Sequence, residues 1–139
     1  MNTTPKASVQ SELGATSDAL RVLVAEDNTV NQTFISHVLT QLGISYRFAN
    51  DGLAAVQAVE EEKFDLVFMD MHMPNMGGLE ACRVILSKPQ HKNLPIIGLS
   101  ADSVADSQDA CMSAGMREYL SKPFKRGDIE AMLARMKFK

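Results

Sequence analysis

Short apolar runs and amphipathic stretches alternate five times along this chain, and this alternation limits the fold more than any other feature. The apolar runs have the length of β-strands and occupy residues 21–25, 44–49, 65–70, 95–100 and 117–120. Stretches with the apolar spacing of helices follow them, over residues 30–42, 53–62, 79–87, 104–114 and 125–138. Strands that alternate with helices form a parallel sheet with helices on both faces. Since five strands are too few for an eight-stranded barrel, we predict an open, doubly wound α/β sheet.

The first 19 residues differ in composition from the rest of the chain. They are rich in Ser, Thr and Ala, contain few large apolar residues and show no sustained period. Because such a stretch buries too little apolar surface to fold by itself, we predict a flexible leader or linker over residues 1–19. The alternative is an ordered helix that begins near Val9. Residues 20–139 then form one domain, as a total length of 139 residues also predicts.

Composition excludes several classes of protein. With 14 Lys and Arg against 17 Asp and Glu, the formal net charge is −3, so we expect no nucleic acid partner. The longest apolar runs have about six residues, too few to span a membrane, and no signal-peptide pattern opens the chain. Cys82 and Cys111 form no CxxC motif and suit a reducing compartment. We expect a cytoplasmic domain without direct membrane contact, which still allows a membrane-anchored parent protein.

Polar residues stand at the carboxyl ends of four predicted strands. Glu26 and Asp27 follow the first strand, Asp70 ends the third, Ser100 ends the fourth and Lys122 follows the fifth. Open α/β sheets bind ligands beyond the carboxyl ends of their strands, where the strand order reverses. The topology therefore predicts that three carboxylates, one hydroxyl and one ammonium group converge at one edge of the sheet.

The predicted cluster suits phosphoryl transfer. Three neighbouring carboxylates repel one another, and a hard cation such as Mg²⁺, with Mn²⁺ as a substitute, removes that cost. Asp70 is the candidate nucleophile, because an Asp carboxylate can form an aspartyl phosphate. Lys122 would pair with one phosphate oxygen and Ser100 would donate a hydrogen bond to another. Positioning and charge neutralisation are what phosphoryl transfer needs most.

Other interpretations of these residues are weaker. An acidic residue after a strand commonly caps the next helix, and Asp27 taken alone fits that role. Capping does not account for five such residues at four strand ends. The first strand is followed by neither GxxxxGK[ST] nor GxGxxG, so no nucleotide-binding loop is predicted. Asp70 precedes Met71 and His72, which excludes the DxD pattern of haloacid-dehalogenase phosphatases.

Residues 20–139 resemble the receiver domain of two-component response regulators. The resemblance rests on four stretches, which are VLVAEDN (22–28), DLVFMDMHMPNMGG (65–78), PIIGLSA (95–101) and YLSKPF (119–124). Residues 28–32 (NTVNQ) are most similar to receivers fused to hybrid sensor histidine kinases. The resemblance implies a flavodoxin-like (βα)5 fold with strand order 2-1-3-4-5 and a role in phosphorelay signalling.

The resemblance also implies a metal site around an acceptor. Asp70 would be the phosphoacceptor and a ligand of Mg²⁺. Asp27 would bind the metal directly, Glu26 would reach it through water, and the backbone carbonyl of His72 would be a further ligand. Lys122 would bind the phosphoryl group.

A second set of implied roles concerns the response to phosphorylation. Ser100 would be the switch hydroxyl, Ala101 would keep the pocket open, and Tyr119 would turn inward on activation. The peptide bond between Lys122 and Pro123 would be cis.

The implied function is signalling rather than dedicated catalysis. The domain would take its phosphoryl group from a phosphohistidine on a histidine kinase or a histidine phosphotransfer protein. Its own chemistry would be limited to self-phosphorylation and autodephosphorylation. An output partner would read the face formed by the fourth helix, the fifth strand and the fifth helix. Two alternatives remain open, a receiver-like binding module that works without phosphorylation and a true phosphatase.

Two positions depart from the family pattern. Gly77 stands where many receivers have Asp, and the missing side chain weakens the start of the third helix by about 1 kcal/mol if no other cap replaces it. Gly98 stands inside the fourth strand where Ala is usual, which predicts a looser strand.

Overall fold

The computed structural model describes residues 20–100 and 104–136, without the side chains of 104–108. Its strands are β1 (Arg21–Ala25), β2 (Ser45–Ala49), β3 (Leu66–Asp70), β4 (Ile96–Ser100) and β5 (Glu118–Ser121). Its helices are α1 (Thr29–Gln41), α2 (Gly52–Glu61), α3 (Gly78–Leu86), α4 (Val104–Ala114) and α5 (Arg126–Arg135). Every predicted element is present and its bounds agree within one residue, except that α5 ends earlier. The predicted leader, Ala101 and residues 137–139 lie outside the described residues.

The five strands form one parallel sheet in the order β2-β1-β3-β4-β5, so the predicted fold and strand order are confirmed. Strand β1 lies between β2 and β3, and Val24 faces Phe48 on one side and Phe68 on the other. The chain order reverses between β1 and β3, which opens a crevice at their carboxyl ends.

Helices cover both faces of the sheet. Val22 and Val24 point into an apolar cluster with residues of α1 and α5, whereas Leu23 and Ala25 point into a second cluster with α2, α3 and α4. Successive residues of a strand face opposite sides, so a strand covered on both sides must be apolar throughout. This requirement explains the continuous apolar runs of the sequence. The packing on both faces of the sheet also holds the strand ends in place.

Local hydrogen bonds fix the helix starts next to the strand ends. The Asn28 side chain accepts hydrogen bonds from the N–H groups of Val30 and Asn31, at 2.9 and 3.1 Å, and so caps α1. Asp27 does not fill the capping role that it could have taken. Helix α3 begins at Gly78 after Gly77, which makes no side-chain cap hydrogen bond, as the sequence predicted.

Sulfur atoms fill the space beside Gly98. A Cβ atom at this position would lie 2.7 Å from Met116 Sδ and 2.8 Å from Cys111 Sγ. The Cys111 thiol also donates to Met71 Sδ at 3.3 Å, so its position is fixed. The packing around β4 therefore explains why position 98 has Gly and not the Ala that is usual in the family.

We expect Gly98→Ala to destabilise the domain by about 1–3 kcal/mol, although Ala favours a strand more than Gly does, because the methyl group overpacks the core. Gly127→Ala is the matched control. A Cβ there meets nothing within 4 Å, and Ala in α5 should stabilise the domain by about 0.5–1 kcal/mol. Urea unfolding measures both changes. A Gly98→Ala variant as stable as the wild type would mean that the two sulfurs move aside at no cost.

Both cysteines are structural residues of the core. Cys82 and Cys111 are fully buried and unpaired by a disulfide. Burial raises the pKa of the Cys82 thiol to about 12, so this thiol stays protonated and unreactive near neutral pH. Among the helices that the structure describes, none has the length and apolar character needed to cross a membrane.

Candidate functional site

The three predicted carboxylates meet at the carboxyl edge of the sheet. Glu26 and Asp27 follow β1 directly, and Asp70 ends β3, the parallel neighbour of β1. One oxygen atom of each side chain lies within 4.8 Å of the others. Glu26 and Asp70 are buried, with 0% and 4% of their surface exposed, whereas Asp27 is open to solvent. The cluster therefore has an accessible side at Asp27.

Lys122 reaches the cluster from the end of β5. Its Nζ lies 3.0 Å from Asp70 Oδ2, to which it donates, and 3.3 Å from Glu26 Oε1. The Lys122 backbone N–H donates to the carbonyl of Ser100 at 2.7 Å, and the Lys122–Pro123 peptide bond is cis, as predicted. Ser100 ends β4 and is buried. The predicted convergence of these side chains on one edge of the sheet is therefore observed for the acids and the lysine.

Charge is unbalanced in the site. Three carboxylates face one ammonium group, which leaves an excess of two negative charges when all four groups are ionised. Burial raises the pKa of Glu26, and the adjacent Asp70 carboxylate adds to the rise despite the hydrogen bond from the Asn28 N–H and the charge of Lys122. Burial alone would lower the pKa of Lys122, but hydrogen bonds and charges of Asp70 and Glu26 outweigh it and raise this pKa.

The donor set fits a hard divalent cation. Glu26 Oε1 is buried and has no hydrogen-bond partner, although the Lys122 ammonium is near. Glu26 Oε2 accepts from the Asn28 N–H at 3.0 Å. An unsatisfied buried oxygen, a nearby buried carboxylate and an exposed carboxylate offer the oxygen ligands that Mg²⁺ prefers. A cation with two charges would also cancel the excess negative charge.

The chain after Asp70 folds back tightly over the site. The His72 N–H donates to Asp70 Oδ1 at 3.1 Å, so one carboxylate oxygen of Asp70 is held by the backbone and the other by Lys122. A Cβ on Gly78 would lie 2.0 Å from the Asp70 carbonyl oxygen. Because that oxygen belongs to the backbone, only glycine fits at this position.

Tyr119 is a residue of β5, the strand that precedes Lys122. It is half-buried in β5 and pairs with Gly98 of β4, two residues before Ser100. Its side chain therefore lies beside β4, the strand that ends at Ser100.

Four polar residues around the site were missed in the sequence. They are Gln32, Asn50, Asp51 and Asn75, and their side chains join loops that are distant in the chain. Asn50 and Asp51 come just before the helix predicted over residues 53–62, where a capping role is the ordinary expectation. Pairing between loops has no local pattern, so only the left-handed tendency of Asn in a turn could have drawn attention to Asn75.

We expect Glu26→Gln to stabilise the metal-free protein by about 1 kcal/mol at pH 7, since an amide is less costly to bury than this carboxylate. The pKa of Glu26 is raised above its ordinary value of 4.5 in the folded state. Below about pH 4.5 Glu26 is protonated in both states and costs no stability. As the pH rises through the raised pKa, the buried carboxylate ionises and the free energy of unfolding of the wild type falls. Glu26→Gln should remove this loss. Urea unfolding across this pH range in metal-free buffer, with exposed Glu130→Gln as the control, measures the difference. Parallel pH profiles for wild type and Glu26→Gln would contradict the expectation.

Comparison with known proteins assigns the chain to a family. The family model for the response regulator receiver domain matches residues 22–134. The chain belongs to the receiver-domain family. Receiver domains of hybrid sensor histidine kinases are among its relatives, which confirms the resemblance seen in the sequence.

A curated relative illustrates the relation in sequence. The CAI-1 autoinducer sensor kinase/phosphatase CqsS of Vibrio cholerae is 40% identical over 107 residues, which cover 76% of this chain and 16% of that protein. The receiver domain thus spans a small part of the length of such relatives.

Solved receiver domains share the fold. The receiver of sensor histidine kinase PA1611 from Pseudomonas aeruginosa is 37% identical, with a TM-score of 0.79, over 84% of this chain and 96% of that one. Its crystal structure holds a magnesium ion in the active-site cleft. The receiver of Saccharomyces cerevisiae Ssk1, crystallised with the phosphotransfer protein Ypd1, is 25% identical with a TM-score of 0.79, over 87% of this chain and 92% of that one.

Proposed function

We propose that this receiver domain accepts a phosphoryl group on Asp70 from a phosphohistidine, with the help of Mg²⁺. The observation that carries the proposal is the placement of three carboxylates and one ammonium group at one edge of the sheet, within reach of solvent at Asp27. The donor is a histidine kinase or a histidine phosphotransfer protein, and the Ssk1 receiver crystallised with Ypd1 supports a donor of the second kind. The domain works in the cytoplasm.

Asp70 acts as the nucleophile. A carboxylate oxygen attacks the phosphorus, the P–N bond to the donor imidazole breaks, and its electron pair returns to the ring nitrogen. Lys122 and the His72 N–H hold the two carboxylate oxygens at 3.0 and 3.1 Å, so the nucleophile is oriented before the donor arrives. After transfer, Lys122 pairs with a phosphoryl oxygen as a point charge.

Asp27, Asp70 and the backbone carbonyl of His72 would hold the metal, and Glu26 would reach it through water. When bound, Mg²⁺, or Mn²⁺ in its place, offsets the negative charge of the carboxylates and of the phosphoryl oxygens. Glu26 belongs to the same cluster, and its buried Oε1 atom accepts no hydrogen bond. The domain is no dedicated enzyme, and its catalysis is confined to its own phosphorylation and dephosphorylation.

A small acyl phosphate tests the proposal without knowledge of the donor. Incubation with Mg²⁺ should add about 80 Da to the intact protein, the mass of one phosphoryl group. Chelation of the metal should prevent the gain. No gain at any Mg²⁺ concentration would instead favour the receiver-like binding module that works without phosphorylation.

Phosphorylation is expected to change the face formed by α4, β5 and α5, where an output partner binds. The new phosphoryl group adds about −1.5 to −2 charges. We expect the end of β4 to move so that Ser100 donates a hydrogen bond to it. That movement makes room for Tyr119 to turn inward, which gives two states biased by a local charge.

We expect Ser100→Ala to keep much of the phosphorylation of Asp70 but to lose its coupling to Tyr119, because the nucleophile and the metal ligands remain. Amide NMR shifts around Tyr119 on addition of beryllofluoride, a phosphoryl mimic, report the coupling. The wild type should show large shifts and Ser100→Ala small ones. Equal shifts in both proteins would mean that the Ser100 hydroxyl does not link the site to the surface.

A further inference from the structure

Two side-chain bridges connect the three loops around the site. Gln32 Nε2 donates to the carbonyl oxygen of Glu26 at 2.6 Å and to Asn50 Oδ1 at 2.9 Å, which joins the chain after β1 to the turn after β2. Asn75 Nδ2 donates to Asp51 Oδ2 at 2.6 Å, which joins the turn after β2 to the loop after β3. The turn after β2 therefore connects the loop of the acidic pocket with the loop of the acceptor.

The Asp51 side chain of this bridge is fixed by a second hydrogen bond. Asp51 Oδ1 accepts from the Ala54 N–H at 2.7 Å and so caps α2, while Oδ2 is left to bind Asn75. These hydrogen bonds, first that of Ala54 and then that of Asn75, lower the pKa of Asp51. The carboxylate is ionised near neutral pH, and hydrogen bonds to a charged acceptor are stronger than neutral ones.

Backbone conformation alone does not explain why residue 75 is Asn. Its φ of 67° lies in the left-handed region, where Asn and Gly are both tolerated. Asn75 is exposed, so packing does not require its side chain either. What Asn adds over Gly at this position is the hydrogen bond to Asp51.

The turn and the loop also touch through their backbones. The Gly52 N–H donates to the Met76 carbonyl at 2.9 Å, and a Cβ on Gly52 would lie 2.3 Å from that oxygen. Helix α2 buries Ala55, Ala58 and Val59 against the sheet, so its amino end is held in place. The loop is therefore fixed wherever it is bonded to this end of the helix. The loop carries His72, whose backbone N–H holds the acceptor carboxylate.

We propose that Asp51 and Asn75 are positioning residues for the metal and the acceptor, because their bond holds the loop over 71–77 against the amino end of α2. The inference deepens the proposed function and rests on it for the identity of the metal. Asp51 and Asn75 touch neither the metal nor the phosphoryl group. They act through the backbone of His72, which faces Asp70 on one side and supplies the proposed carbonyl ligand on the other.

Three variants separate the bond from the backbone conformation. Asn75→Gly keeps the left-handed conformation and removes the donor. Asn75→Asp keeps the size of the side chain and sets a carboxylate against Asp51. The double variant Asp51→Asn with Asn75→Asp restores the bond in the reverse direction, because the amide now at position 51 donates to the carboxylate now at position 75. It also keeps the net charge, and the amide oxygen can still cap α2.

Calorimetric titration with Mg²⁺ should give dissociation constants about tenfold higher for Asn75→Gly and Asn75→Asp, the lower end of the loss seen for outer partners of metal ligands. The double variant should return to within about twofold of the wild type if the two changes are coupled through one bond. Single variants that bind Mg²⁺ as the wild type does, or a double variant as weak as Asn75→Asp, would overturn the proposal.

The amide NMR resonance of His72 in metal-free protein gives a readout that needs no metal. It should shift in both single variants and return in the double variant, since its hydrogen bond to Asp70 depends on the position of the loop. If the wild type failed to bind Mg²⁺, the proposed function would fail, and the His72 amide would still decide this inference. An unchanged His72 resonance in Asn75→Gly would refute it.

Discussion

Asp70→Asn should gain no mass when it is incubated with a small acyl phosphate and Mg²⁺, whereas the wild type gains about 80 Da. An amide is not a nucleophile at neutral pH, so this change removes the proposed phosphoacceptor. Lys122 and the His72 N–H each bind one oxygen of Asp70, at 3.0 and 3.1 Å. Intact mass spectrometry measures the gain.

Asp109→Asn is a suitable control for the acceptor, because Asp109 is an exposed carboxylate on α4. It should be phosphorylated as the wild type is. A phosphoryl group found on Ser100 or His72 of Asp70→Asn would overturn the assignment of the acceptor. A mass gain in Asp70→Asn equal to that of the wild type would also overturn this assignment, on whichever residue the phosphoryl group is found.

Asp27→Ala should weaken Mg²⁺ binding by about 100-fold or more, since even the outer partners of metal ligands cost up to about that much. Phosphorylation should fall with it. The fold should survive and gain about 1 kcal/mol, the Coulomb energy of two like charges about 4 Å apart in water. Calorimetric titration measures the binding, and urea unfolding in metal-free buffer measures the stability.

The exposed Asp109 again offers a control, as Asp109→Ala removes a carboxylate without touching the cluster. Wild-type Mg²⁺ affinity in Asp27→Ala would mean that the metal binds without this side chain. A marked loss of stability would show instead that Asp27 supports the fold, contrary to its exposed position next to two other carboxylates.

The convergence of the site was predictable because it follows from topology. Parallel strands place their carboxyl ends at one edge, so Glu26, Asp70 and Lys122 had to come close once the strands were identified. Distances among them confirm that closeness. The roles proposed for these residues remain predictions.

Features that depend on loop geometry could not be predicted from the sequence pattern. Asp27 and Asn28 are both good capping residues, and only the direction of the chain after β1 decides that Asn28 caps α1. The bond between Asp51 and Asn75 joins residues 24 positions apart and has no periodic signature. The space beside Gly98 is set by side chains from other elements, so it was apparent only as a departure from a family pattern.

The close approach of Gly78 to the Asp70 carbonyl has a consequence for inherited variation. Every other amino acid carries a Cβ, so each missense change at Gly78 would strain the backbone of Asp70 itself. A genetic screen for lost signalling would therefore recover alleles at this codon alongside alleles of Asp70. Alleles at Gly78 would lower the amount of folded protein, whereas alleles at Asp70 would leave that amount unchanged and remove the proposed phosphorylation. An immunoblot would distinguish the two.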